Sequence, residues 1–196
     1  VLCTKLVQNI ATIIIIIKYS LLTMKIETLP QIHLALMPDA SILNRDLLNI
    51  FGDLYNHPAT KRSHFFHGRF ENIYIHKEHI PAIQPLLTLI EQAAVEILGT
   101  NVGQLRCGYW FNLMRPGDQT SLHAHEEDDE LLSAVYYVAV AEHCGDLVLG
   151  TPPVATRIKP VPGMAVFFPP SLPHAVEVNA SGQNRLSIAF NFGPNA

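Results

Sequence analysis

From Gln104 onward the apolar residues stop recurring at helical spacing and gather into short runs. Leu105–Met114, Leu132–Ala141, Asp146–Leu149, Met164–Phe168, Ala175–Val178 and Arg185–Phe192 have the length and the β-branched and aromatic content of strands. Between them stand Pro116-Gly117, Gly145, Pro152-Pro153, Pro162-Gly163, Pro169-Pro170 and Ser181-Gly182. These are turn formers, and many short strands punctuated in this way predict a sandwich or barrel. The preceding region has a different period. Ser41–Phe51 carries apolar residues at helical spacing, with Asp39 or Ser41 placed to cap it. Pro81–Leu98 is a clearer helix: Pro81 suits a first turn, Leu86, Leu87, Ile90, Ala94 and Ile97 form one stripe, and Gly99 suits the stop. Ile26–Met37 has strand-like content interrupted by Pro30, and Asn56–Gly68 reads as a polar connection. The expectation is a mainly β protein with N-terminal helices. A double-stranded β-helix (jelly-roll) core spans residues 104–196, and an α-helical layer over 24–103 braces it, the two forming one domain over 24–196. No internal repeat is visible.

Composition narrows this picture. The chain is 48% hydrophobic and 15% charged, enough to bury a full core, and its net charge of −4 lacks the basic face that phosphate binding demands. Nucleic acid is therefore not an expected partner. The three cysteines, Cys3, Cys107 and Cys144, are odd in number and form no Cys-x-x-Cys pair, so a reduced, cytoplasmic chain is expected. Cys107 lies inside a strand and reads as core. Residues 1–23 look foreign to the rest. Ile10–Ile17 is nearly all isoleucine between Lys5 and Lys18, and acids are absent until Glu27. That run is too short to span a bilayer, which takes about 20 residues, and no cleavage signal follows. The segment is expected to be a non-native or disordered extension, with Met24 as the first native residue. A weak membrane anchor is the competing reading.

The candidate chemistry lies in the β half. His123 and His125 are two residues apart, which on a strand puts both on one face. His174, from a distant strand, can complete a three-ligand metal site with positions left open. Arg185, beyond it, can hold an acidic cosubstrate. Arg185, Ser187, Ala189 and Asn191 share one strand face, and so do Trp110 and Asn112. His33, His57, His143 and the pairs His64/His67 and His76/His79 read as surface or hydrogen-bonded histidines. Glu126 to Glu130 form an acidic run that is either a solvated loop or a pocket rim attracting a cationic substrate.

Residues 108–193 resemble the iron(II)/2-oxoglutarate-dependent dioxygenases, on their prolyl-hydroxylase-like side, and within them a bacterial group of 2-oxoglutarate oxygenases with a His-x-His motif. The resemblance rests first on Trp110-Phe111-Asn112, Gly117, His123-Ala124-His125 and Ser133-Ala134-Val135-Tyr136-Tyr137. It continues through Gly145-Asp146-Leu147, Pro160-Val161-Pro162-Gly163, Phe168-Pro169, His174 and Arg185-Leu186-Ser187-Ile188-Ala189-Phe190-Asn191. It implies an enzyme that takes iron(II) as cofactor and 2-oxoglutarate and O2 as cosubstrates. Such an enzyme hydroxylates its substrate while 2-oxoglutarate becomes succinate and CO2. Arg185 and Ser187 would grip the distal carboxylate. By the same resemblance Tyr137 would donate its phenol to that carboxylate. Trp110, Asn112 and Asn191 would line the substrate side.

One departure stands out. The superfamily usually has His-x-Asp, and this chain has His125 at the Asp position. His123, His125 and His174 can form a three-histidine site, Glu127 can replace His125, or the site is degenerate. A small molecule and a peptide or protein side chain are both open as substrate, and oligomeric state is not legible. Two other functions stay in play: a cupin-type three-histidine dioxygenase that does not use 2-oxoglutarate, and a non-catalytic jelly-roll binding protein.

Overall fold

A computed structural model describes residues 24–37, 39–99, 103–125 and 129–195. The expectations for residues 1–23 and for Glu126, Glu127 and Asp128 lie outside the described residues. The first elements are a hairpin of β1 (Lys25–Leu29) and β2 (Ile32–Leu36). Pro30 therefore does not break one strand but starts the turn between two, and Gln31 follows it with φ 61°. The helix α1 (Ser41–Leu54) buries Leu43, Asn44, Leu47 and Phe51. Neither Asp39 nor Ser41 caps it. Ala40 holds the N-cap position, and no side chain bonds there.

The expected polar connection before Gly68 is instead largely a second hairpin, β3 (Lys61–Phe66) and β4 (Arg69–Tyr74). His67 and Gly68 make its two-residue turn with φ 49° and 80°, the left-handed pair that such hairpins need. A short 3-10 turn (Pro81–Ile83) leads into α2 (Gln84–Leu98). The strands then follow as β5 (Leu105–Met114), β6 (Thr120–His123), β7 (Leu132–Ala139), β8 (Leu147–Leu149), β9 (Thr156–Ile158), β10 (Met164–Phe168), β11 (His174–Val176) and β12 (Arg185–Pro194).

Two antiparallel sheets form the jelly-roll walls. The larger has the order β1-β2-β10-β7-β12-β5-β4-β3, and the smaller β6-β11-β8-β9. Residues 24–103 thus supply two strand pairs that extend the large sheet at both ends, in addition to the helices.

Period-two alternation sorts the side chains into two cores. Leu186, Ile188, Phe190 and Phe192 of β12, with Phe111 of β5 and Ala134 and Tyr136 of β7, pack against Leu43, Leu47, Leu86 and Ile90 of the helices. On the opposite face Tyr137, Val166 and Phe168 of the large sheet meet Leu147, Leu149 and Ile158 of the small one. The alternation splits the adjacent tyrosines. Tyr136 donates its hydroxyl to Asn44 Oδ1 at 2.7 Å in the helical layer, and Tyr137 enters the barrel. Among the described residues no helix is long and apolar enough to cross a membrane.

Candidate active site

His123 ends β6 and stands directly opposite His174 at the start of β11. Their rings are 4.2 Å apart between centroids. His125 lies just beyond the strand, where its backbone N–H donates to the Pro170 carbonyl at 2.9 Å. Its ring is 5.4 Å from His123 and 5.3 Å from His174. One ligand atom from each of the three lies within 4.8 Å of the other two. The convergence expected from strand parity is present, although the strand itself stops at His123.

The tautomers suit metal binding. His123 Nδ1 is 2.8 Å from the Ser121 carbonyl, and His174 Nδ1 is 3.0 Å from the Leu172 carbonyl. A carbonyl only accepts, so in both rings Nδ1 carries the proton and Nε2 keeps its lone pair. Burial pushes the His174 imidazole down to about 4, and His123 and His125 add to the shift against the opposing Leu172 hydrogen bond. His174 is therefore neutral near pH 7, as a ligand must be. The three imidazoles line a cavity of about 450 Å3 with Trp110 and Asn112 on one wall and Phe66 and Leu122 at the rim.

Deeper in the barrel lies a second polar group of residues. Arg185 is 1% exposed, and no carboxylate pairs with it among the described residues. Its Nη1 reaches only Met114 Sδ, at 3.0 Å, and its Nε has no partner. Tyr137 is fully buried, and its hydroxyl lies against the Arg185 guanidinium without closing a hydrogen bond of ordinary geometry. Burial raises the Tyr137 phenol, against the pull of Arg185, so it remains a donor. The Arg185 guanidinium carbon sits 5.2 Å from the Tyr137 ring centroid. Ser187 stands opposite Tyr137 in register, and is buried too. A buried guanidinium without an anion is costly, and so is a buried hydroxyl without a well-formed hydrogen bond. A carboxylate placed between them satisfies both, so the residues present fit the distal end of 2-oxoglutarate. The Phe168 ring links the two halves. It lies 4.9 Å from His174 and packs in the same cluster as Tyr137.

The remaining expectations divide. Trp110 and Asn112 line the histidine cavity. Asn191 does not. It lines an adjoining cavity that shares Trp110 with the first. His64, expected as a surface residue, is exposed but sits at the mouth of the histidine cavity. Cys107 packs against the helical core, where burial raises its thiol to about 12.

Arg69 was not legible as a site residue. It is 7% exposed and donates to Glu71 Oε1 at 2.9 Å, Thr120 Oγ1 at 2.9 Å, the Gln119 carbonyl at 3.0 Å and Asn112 Oδ1 at 3.4 Å. Burial lowers its pKa, Glu71 and Asp118 oppose that, and nearby Arg185 adds to it. Arg69 thereby fastens the β3–β4 hairpin to the strand that carries His123. The available signal was His67-Gly68 between two aromatic-bearing runs, a hairpin turn in disguise.

Residues 151–191 match a protein-family model described as "Putative 2OG-Fe(II) oxygenase". No curated protein matches the chain. Among solved structures, a prolyl-4-hydroxylase of Pseudomonas putida is 17% identical with a TM-score of 0.60, over 94% of this chain and 95% of that one. The non-heme alpha-ketoglutarate-dependent epimerase SnoN of nogalamycin biosynthesis is 14% identical with a TM-score of 0.63, over 94% and 83%. EvdO2 of Micromonospora carbonacea var. aurantiaca, complexed with 2-oxoglutarate, is 15% identical with a TM-score of 0.61, over 87% and 93%. At these identities the structures speak for the fold. Fold and matched segment together bear out the resemblance drawn from the sequence. The matched segment contains His174 and Arg185, and the fold is one that these solved structures share.

Proposed function

We propose that this chain is an iron(II)- and 2-oxoglutarate-dependent dioxygenase that hydroxylates a small molecule or a peptide side chain. In this reading His123, His125 and His174 hold the metal through imidazole nitrogen, which iron(II) accepts as readily as carboxylate. Glu127 is not needed to complete the set. Bound iron(II) would supply the centre at which O2 is reduced as 2-oxoglutarate is decarboxylated to succinate and CO2.

The residues of the chain do the rest. Ser121 and Leu172 fix the ring tautomers through their carbonyls. Arg185 binds the distal carboxylate with its fork of donors, Tyr137 donates its phenol to the same group, and Ser187 adds a hydroxyl. Phe168, Val166 and Leu149 keep water from that end. Trp110 and Asn112 face the substrate in the open cavity.

The observation that carries this reading is Arg185, buried with no anion beside a Tyr137 hydroxyl that closes no hydrogen bond of ordinary geometry. Any carboxylate would satisfy that pair, so dependence on 2-oxoglutarate is what separates this reading from the cupin one. The test is direct. Purified protein given iron(II), 2-oxoglutarate and O2 is assayed for succinate, and 2-oxoglutarate binding is measured by calorimetry. Succinate formation and binding that depends on Arg185 are expected. Iron binding without any 2-oxoglutarate binding would favour the cupin reading instead.

A further inference from the structure

Resting on the oxygenase reading above, we propose that the substrate carries an organic cation, an ammonium or guanidinium. Glu130 and Trp110 receive it in the cavity that adjoins the three histidines.

This second cavity has a volume of about 580 Å3, and Glu130, Asn191, Gly108, Trp110, Arg106 and Asp129 are among its walls. Trp110 belongs to both cavities, so one molecule can reach from the imidazoles to Glu130. The Glu130 carboxylate is held in place from behind. Ser133 Oγ donates to Asn191 Oδ1 at 2.9 Å, and Asn191 Nδ2 donates to Glu130 Oε1 at 2.6 Å. Asn191 is paired with Ser133 on one side and with Gly108 on the other, so this relay runs across the inner face of the sheet. Gly108 keeps the floor open. A Cβ there would meet nothing closer than 4.0 Å.

The second carboxylate oxygen, Glu130 Oε2, is buried and has no hydrogen-bond partner. An acceptor left so is costly, and a charged one most of all. The neighbouring cation does not fill it, because Arg106 is bound to Asp129 at 2.5 Å. Arg106, Asp129 and Glu130 together leave one negative charge at the cavity. The sequence adds Glu126, Glu127 and Asp128 immediately before them, all of the sign that draws cations in. A metal ion is a poor occupant, since hard divalent cations take six or so oxygen ligands and one carboxylate is available. An organic cation fits better, since Trp110 brings an aromatic ring and Glu130 a counter-charge to the walls of one cavity.

Trp110 is the sole tryptophan of the chain, so its emission reports this site directly. The full chain is titrated with N-acetyl-lysine amide and with the N-acetyl amide of 2-aminoheptanoic acid, whose side chain has a methyl group where lysine has its ammonium. The lysine probe is expected to bind at least about tenfold more tightly. Glu130→Gln, which can still accept from Asn191, should erase that preference while iron content stays at the wild-type level. Glu130→Asp should keep part of it. Equal binding of the two probes, no binding of the lysine probe, or a preference that survives in Glu130→Gln would overturn the inference. Absence of succinate formation would sink the oxygenase reading and leave the binding preference standing. Loss of the preference with succinate formation intact would sink this inference alone.

Discussion

The two faces of the large sheet are built from the same strands and could hardly differ more. Toward the helices, β12 presents Leu186, Ile188, Phe190 and Phe192, all buried among apolar neighbours. Toward the barrel, the alternate residues of that strand are Arg185, Ser187, Ala189 and Asn191. β7 repeats the contrast, with Tyr136 satisfied by Asn44 on one face and Tyr137 unsatisfied on the other. The helical face has its polar groups paired. The barrel face holds orphan donors and acceptors at Arg185, Tyr137 and Glu130. One face has its polar groups satisfied by folding, and the other keeps polar groups that the proposed cosubstrate and substrate would satisfy. In the proposed reading, stability and function are carried by alternate residues of the same strands.

Substitutions on the two faces should separate these roles. The largest effect is expected at the metal. His123→Ala, His125→Ala and His174→Ala should each lose most iron, measured by metal analysis after dialysis, with thermal unfolding near that of the metal-free parent. Glu127→Ala should keep its iron. An iron-loaded His125→Ala beside an iron-free Glu127→Ala would hand the third position to the carboxylate.

On the helical face, Phe190→Ala should cost about 3–5 kcal/mol in urea unfolding, the range for deleting a large buried aromatic. A loss below about 1 kcal/mol would show that this face is not the dominant core.

Acid should act on the barrel face. In the metal-free protein His174 titrates at about 4 when folded, below its ordinary 6.5. The unfolded chain therefore takes up the proton first. Stability contributed by neutral His174 is fully present above pH 6.5 and is lost as pH falls toward 4, by up to about 3 kcal/mol. Replacement of His174 by Gln should flatten that part of the stability–pH curve, and a curve unchanged by the replacement would assign the loss elsewhere.

The smallest effect is the most discriminating. Arg185→Met should weaken 2-oxoglutarate binding by about 1.5–3 kcal/mol, roughly 10- to 150-fold, without lowering stability in the absence of ligand. Arg185→Lys should recover part of the affinity, because a point charge replaces a fork. A large stability loss in Arg185→Met with unchanged 2-oxoglutarate affinity would make Arg185 a structural residue.

Much of this arrangement was legible in the linear chain. The period-two runs placed β5 and β10 at their observed bounds, and the Pro81–Gly99 signals placed the second helix. Parity alone separated Tyr136 from Tyr137 and grouped Arg185 with Ser187. These features are local, set by backbone geometry and near-neighbour sterics, so the order of residues suffices to specify them. What stayed hidden depends on contacts between segments far apart in the chain. The β3–β4 hairpin is mostly exposed and polar in pattern, so no hydrophobic alternation announced it, and Arg69 went unread with it. Which face of β12 would be the site, and that Arg185 would find no anion there, depended on where the helices packed. Likewise His174 meets His123 only because β11 and β6 become neighbours in the smaller sheet. Side-chain parity is a property of one strand, whereas convergence on a metal or a carboxylate is a property of the assembled barrel.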